Sequence, residues 1–192
     1  MKRNVAISLM AIGTALVLMA VALLGYNLYE SRQAGDYADD VLQAIHRNVV
    51  DTDEDDADPF DEEMAAATID GYDYIGYLSI PALELDLPVM STCDYSRLRL
   101  SPCRYYGSVK TDNLVIAAHN YRHHFGYLGQ LQAGDPVSFT AMDATTYHYR
   151  VTAIETLAPT ATDRVKDAGD DLILYTCTYS GSKRIVIRCS YI

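Results

Sequence analysis

The chain has 192 residues, about one compact domain with something added, and 49% of them are apolar, enough to fill a core. Its formal charge is -11, from 26 acidic against 15 basic side chains. The basic residues gather on no one stretch, which argues against nucleic acid as a partner, since phosphate binding needs a concentrated basic face.

In chain order, residues 5–26 (VAISLMAIGTALVLMAVALLGY) carry no charge. As a helix rising about 1.5 Å per residue, such a run crosses a hydrocarbon layer of roughly 30 Å. Lys2 and Arg3 precede it while Glu30 and Asp36 follow, so the positive-inside bias leaves the N-terminus in the cytoplasm and places residues from about 30 onward outside. A cleaved signal peptide is the rival reading, with Ala20 or Ala22 near the processing site, but the run exceeds the roughly 7–15 residues of a signal-peptide core. Both readings export the rest of the chain.

Residues 37–50 (YADDVLQAIHRNVV) have apolar positions at helical intervals and predict a short juxtamembrane helix. The acidic run at 51–58 reads as a solvated, self-repelling linker; the glycine and terminal glutamate of an EF-hand loop are missing from it. From Tyr72 the composition turns to short β-type runs. The expected organisation is therefore a cytoplasmic tip and anchor at 1–29, a juxtamembrane helix and acidic linker at 30–71, and a catalytic domain at 72–192.

Strands are predicted at 74–80, 114–118, 136–139, 147–157, 172–176 and 184–191, separated by turn signals such as Gly134-Asp135 and Ser180-Gly181, with a short helix or turn at 122–131. The fold class they imply is mainly β, a mostly antiparallel sheet closed into a barrel with short helices.

Cys177 ends the apolar run Leu172-Ile173-Leu174-Tyr175-Thr176 and precedes a polar turn. A strand fixes the sulfur while the strand's end leaves one side open. His119 has the same setting, after Leu114-Val115-Ile116-Ala117-Ala118. Taken alone, each is more often structural, the cysteine as a small buried hydrophobe. Together they are the nucleophile and proton carrier that acyl transfer needs. Arg184 opens the last strand, where a hairpin through 178–183 brings it beside Cys177; a cation there favours thiolate and can hold a developing oxyanion. Arg188 competes, because period-two alternation puts Arg184, Val186 and Arg188 on one face. An exposed strand charge is the plain alternative for either.

Leu-Val-Ile-Ala-Ala-His at 114–119, Leu-Tyr-Thr-Cys-Thr-Tyr at 174–179 and Arg184-Ile185-Val186-Ile187, in that order, resemble the sortase family of Gram-positive bacteria over residues 72–192. The resemblance implies a membrane-anchored, cell-surface cysteine transpeptidase with a closed sortase-type β-barrel and no cofactor. Its partners are an exported protein carrying a C-terminal sorting signal of the Leu-Pro-X-Thr-Gly type and an amine acceptor, a cell-wall peptide or a pilin lysine. It gives Cys177 the attack on the threonine carbonyl and His119 the proton transfers. It gives Arg184 the oxyanion, in preference to Arg188, because the family's arginine begins the strand after the cysteine. Thr-Cys-Thr-Tyr and the short connection to Arg184 are similar to class B, whereas the domain is smaller than larger members of that class. Asp58-Pro59-Phe60 resembles the lid of class C sortases, with a plain linker turn as its alternative.

If Cys177 is a free thiolate, Cys93, Cys103 and Cys189 can make at most one bridge; Cys93 with Cys103 is one choice and Cys189 is an alternative partner. No metal site is expected, because no closely spaced cysteine pair accompanies His123 and His124, which read as surface residues. Two other functions fit the same residues: a peptidase that gives the acyl group to water, and a surface binding domain in which Cys177 is a core residue.

Overall fold

The computed structural model describes residues 2–51, 64–166 and 169–192. It forms two compact units, residues 1–33 and 34–192. Helix α1 (Lys2–Asp51) carries an apolar segment long enough to cross a membrane, with a mean hydropathy of 2.5 over its most apolar window. The separate juxtamembrane helix expected at 37–50 is the last part of this same helix. The acidic run from residue 52 and the Asp58-Pro59-Phe60 motif lie outside the described residues.

Among the described residues nine strands follow: β1 (Ala67–Ile69), β2 (Tyr72–Ile80), β3 (Leu85–Met90), β4 (Cys103–Tyr106), β5 (Leu114–Ala117), β6 (Pro136–Ala141), β7 (Thr146–Leu157), β8 (Leu172–Cys177) and β9 (Arg184–Tyr191). A one-turn helix α2 (Tyr95–Leu98), capped by Asp94 accepting from the Arg97 amide, lies between β3 and β4. The strand order is β1-β2-β3-β4-β5-β8-β9-β7-β6, and β6 pairs back onto β2. β2 to β9 thus form a closed eight-stranded barrel, with β1 attached to the start of β2. Only β3–β4 and β5–β8 pair parallel, so the sheet is mostly antiparallel as expected.

The chain closes at Gly76. This residue sits at a bulge in β2 with φ of 143°, and a Cβ there would lie 2.0 Å from the Thr140 carbonyl oxygen of β6. Only glycine permits that approach. Inside, Leu78, Ile80, Leu114, Ile116, Phe139, Leu172, Leu174 and Ile187 form the main core. β5 is buried at every position and β8 at its first three and at Thr176, so their apolar runs do not alternate.

Within the second unit, Ala34, Ala38, Val41 and Ile45 form one buried stripe of α1. Val41 and Ile45 join Tyr74, Met90, Cys103 and Met142 in a second cluster, while Ala38 joins the main core. The Tyr37 and Tyr74 hydroxyls are 3.1 Å apart, and His46 meets the Tyr77 ring edge-on at 4.9 Å. This part of the helix is therefore a wall of the folded domain. Ile45→Ala is expected to lower unfolding free energy by about 2–4 kcal/mol in urea titration of the full chain in detergent micelles, whereas Ile154→Ala, at a 40% exposed position, costs less than about 1 kcal/mol.

Candidate functional site

The site is built by register. β5 and β8 lie side by side with Ala117 opposite Tyr175. The next residues continue the match: the Ala118 amide donates to the Tyr175 carbonyl (3.1 Å), and Thr176 Oγ1 donates to the Ala118 carbonyl (2.8 Å). His119 and Cys177 follow at the same level on their two strands. On the other side of β8, antiparallel pairing sets Cys177 directly opposite Arg184. All three residues nominated from sequence come to one end of the sheet.

They also share a face. Ile116, Leu174 and Ile187 point into the main core, so the alternate positions point away from it. There Val115, Ile173 and Val186 form a third apolar cluster with Leu157 and Val165, edged by Tyr105 and Tyr175. Cys177, His119 and Arg184 end this outer face, each half-buried. Cys177 belongs to no core cluster, unlike Cys103 and Cys189, which are wholly buried. Burial pushes the Cys189 thiol up to about 12, which keeps it protonated. All four cysteines are free thiols.

Contacts not foreseen from sequence fix the nominated groups and the residues beside them. Asn120 Nδ2 donates to the Thr178 carbonyl (3.3 Å), tying the residue after His119 to the residue after Cys177. The His119 ring stacks on Tyr121 with centroids 4.1 Å apart and planes at 18°. Arg184 Nε donates to the Tyr175 hydroxyl (3.2 Å), and its Nη1 donates to the Gly181 and Lys183 carbonyls at 2.9 and 3.1 Å. Only Tyr175 had a readable signal, since it lies two residues before Cys177 and shares its face.

The two arginines are held by opposite means. Arg188 Nε donates to Glu155 (3.2 Å), its Nη1 pairs with Asp170, and its Nη2 donates to the Arg164 carbonyl (2.9 Å). Burial acts to lower its pKa, and the Asp170 and Glu155 carboxylates more than offset that. Its charge is neutralised in place. Arg184 meets only neutral acceptors, and its Nη2 makes no hydrogen bond among the described residues.

The loop after His119 is a string of turns rather than a helix, with the single 3-10 turn Leu128–Gln130. Phe125 and Leu128 anchor it in the core, and the Phe125 amide donates to the His119 carbonyl (3.2 Å). His124 corrects the expectation of a surface residue, because it is wholly buried. Neither of its ring nitrogens makes a hydrogen bond of normal geometry. Burial pulls its pKa down to about 4, opposed by the Ala34 backbone. His123 is exposed. Among the described residues, no group of three or more His, Cys, Asp or Glu side chains is placed to hold a metal ion.

A model of the sortase domain family matches residues 78–192. The chain belongs to the sortase family. It is 27% identical to sortase A of Bacillus anthracis over 180 residues, covering 86% of this chain and 85% of that protein. Sortase C1 of Streptococcus agalactiae superimposes with a TM-score of 0.55 at 27% identity, covering 65% and 70% of the two chains. The sortase D5 transpeptidase of Clostridium perfringens gives 0.66 at 18% identity, covering 82% and 99%, a likeness of fold. Membership makes this sortase a cysteine transpeptidase in general kind.

Two outcomes follow for stability. His124 stays neutral in the fold down to about pH 4, whereas unfolded histidine takes its proton near 6.5, so its contribution is full above pH 6.5 and is lost as pH falls toward 4. Between pH 7 and 5 unfolding free energy should fall by about 2 kcal/mol more in the parent than in His124→Gln. Arg188→Ala should cost about 2 kcal/mol by stranding the Asp170 and Glu155 carboxylates, read as a lower denaturation midpoint.

Proposed function

We propose that this sortase cleaves a C-terminal sorting signal of the Leu-Pro-X-Thr-Gly type on an exported protein and passes the new carboxyl end to an amine of a cell-wall precursor or a pilin. The proposal places α1 across the membrane, N-terminus in the cytoplasm and catalytic domain outside, on the charges flanking its apolar run. The observation that carries the reading is that β8–β9 pairing sets Cys177 opposite Arg184, while His119 follows two residues after Ala117, which pairs with Tyr175 of β8.

In this reading the signal peptide lies in extended form at the open end of the sheet's outer face, where Cys177, His119 and Arg184 are half-buried. Cys177 Sγ, as thiolate, attacks the threonine carbonyl carbon. The oxyanion forms beside Arg184, which is paired with no carboxylate among the described residues and whose Nη2 is available to donate. As the carbon–nitrogen bond breaks, His119 gives a proton to the leaving amine, and a thioester remains on Cys177. An incoming amine then attacks the thioester, His119 takes its proton, and Cys177 leaves as thiolate. Tyr175 and the carbonyls of Gly181 and Lys183 aim the guanidinium rather than react.

Intact-protein mass spectrometry of the full chain in detergent micelles, with a panel of such peptides and with or without an amine, tests this. A Cys177 adduct that passes to the amine is the expected result. An adduct released only to water favours the peptidase reading; no adduct, together with a Cys177 inert to alkylation, favours the binding domain. Cys177→Ala should give no adduct, and Arg184→Ala should lower kcat about 10²–10³-fold. Arg188→Ala should keep kcat within about threefold, and equal losses at both arginines would undo the assignment.

A further inference from the structure

Away from the site, two more thiols are brought together. Cys103 opens β4, is wholly buried and lies opposite Met90 across the parallel β3–β4 pairing. Cys93 comes shortly after Met90, is half-buried and packs on the cluster to which Cys103 belongs. Three hydrogen bonds fasten the segments that carry them: the Met90 amide to the Pro102 carbonyl (2.9 Å), Ser101 Oγ to the Pro88 carbonyl (2.7 Å), and Arg104 Nε to the Ser91 carbonyl (2.9 Å). The segments are thereby held together, and both cysteines pack in one apolar cluster. The two thiols are side-chain hydrogen-bond partners, and the Ser101 carbonyl, 3.4 Å from Cys103 Sγ, is an alternative acceptor.

The pair is unequal. The Cys103 thiol as donor holds Cys93 below the usual thiol range, against the opposing effects of burial and of Asp94. The same contact, together with burial, pushes Cys103 up. Thiolate therefore forms first at Cys93, the sulfur that reaches the surface. It reaches it in a cavity of about 370 Å³, with Ser91 and Thr92 on its own side and Arg104, Tyr105 and Tyr106 opposite. That space admits a small disulfide.

We propose that Cys93 and Cys103 are a redox pair that a small-molecule disulfide converts to an intramolecular bridge, stapling the β3–α2 connection to β4. Cys93 thiolate attacks one sulfur of the oxidant, whose other half leaves as thiolate. Cys103 then gives up its proton and attacks Cys93 Sγ, displacing the second half. Two protein thiols become one disulfide and one disulfide becomes two thiols, so electrons balance. The export proposed above puts the pair where disulfides persist. Neither sulfur belongs to the site, so the pairing stands or falls apart from the transpeptidase reading.

The test takes the full chain in detergent micelles, as the parent and as Cys177→Ala, through graded ratios of reduced to oxidised glutathione. The chain is then denatured, alkylated and mapped by peptide mass spectrometry. Cys93 and Cys103 should escape alkylation together in one cross-linked peptide, with Cys189 alkylated throughout. Reduced glutathione should reverse the bridge. Oxidation should raise Tm by about 5–10 °C, and by nothing in Cys93→Ser. Cys103→Ser should instead retain glutathione on Cys93, the arrested first step. Alkylation of both sulfurs at the most oxidising ratio would overturn the proposal. So would a lasting glutathione adduct on Cys93 in the parent, or a bridge to Cys189.

Discussion

The parallel pairing of β5 with β8 is the constraint on which the rest depends. Parallel neighbours cannot be joined by a tight turn; the chain leaves one strand at one edge of the sheet and must cross back to the opposite edge to begin the next. Here it leaves after His119, builds β6 and β7 on the far side of the barrel, and returns at Leu172. Both strands then run in the same direction to the same edge. Matching Ala117 with Tyr175 commits His119 and Cys177 to one level, although more than fifty residues separate them. The seam of β2 and β6 at Gly76 closes the barrel and prevents that edge from shearing. Placement of the thiol and the imidazole is thus a property of the whole barrel rather than of either loop.

A second constraint divides the labour of the two arginines. Both lie on the outer face of β9, and period-two alternation cannot separate them. Their partners do. A guanidinium paired with two carboxylates has spent its field locally, and moving it would strand two half-buried carboxylates. One held by a phenol and two carbonyls has fixed geometry and a net positive field, which suits a site where negative charge appears during reaction. The β8–β9 register adds proximity, because Arg184 faces Cys177 while Arg188 faces Ile173.

Legibility in the sequence followed apolar content. The six predicted strands are observed within two residues at each end, because each is a run of β-branched or aromatic residues bounded by turn chemistry. The three strands that were not foreseen lack that signal. β1 has three residues, β3 contains Pro88, and β4 is Cys-Arg-Tyr-Tyr directly after a proline. Tertiary pairing makes them strands: Pro88 is accepted opposite Tyr77, and β4 is held between β3 and β5. His119 and Cys177 were readable because each ends such a run. Asn120 supports them through a contact with the Thr178 carbonyl across the fold, which no local pattern records. His124 was misread because polarity in a loop argues for the surface unless packing is known.

Packing around that histidine gives the last part of α1 a role in the site. Gly35 faces His123 so closely that a Cβ would lie 2.9 Å from its ring, and the Ala34 backbone meets His124. Two small residues in succession let the helix reach the loop that begins at His119. The Tyr121 ring stands between the His119 and His124 rings, stacked on the first and 5.7 Å from the second. The order of contact therefore runs from helix to His124, to Tyr121, to His119. His124, wholly buried against the Ala34 backbone, fills the space between helix and loop. The imidazole at the strand end is placed from in front by the pairing of β5 and β8 and from behind by α1, so the last part of that helix belongs to the scaffold that holds the site.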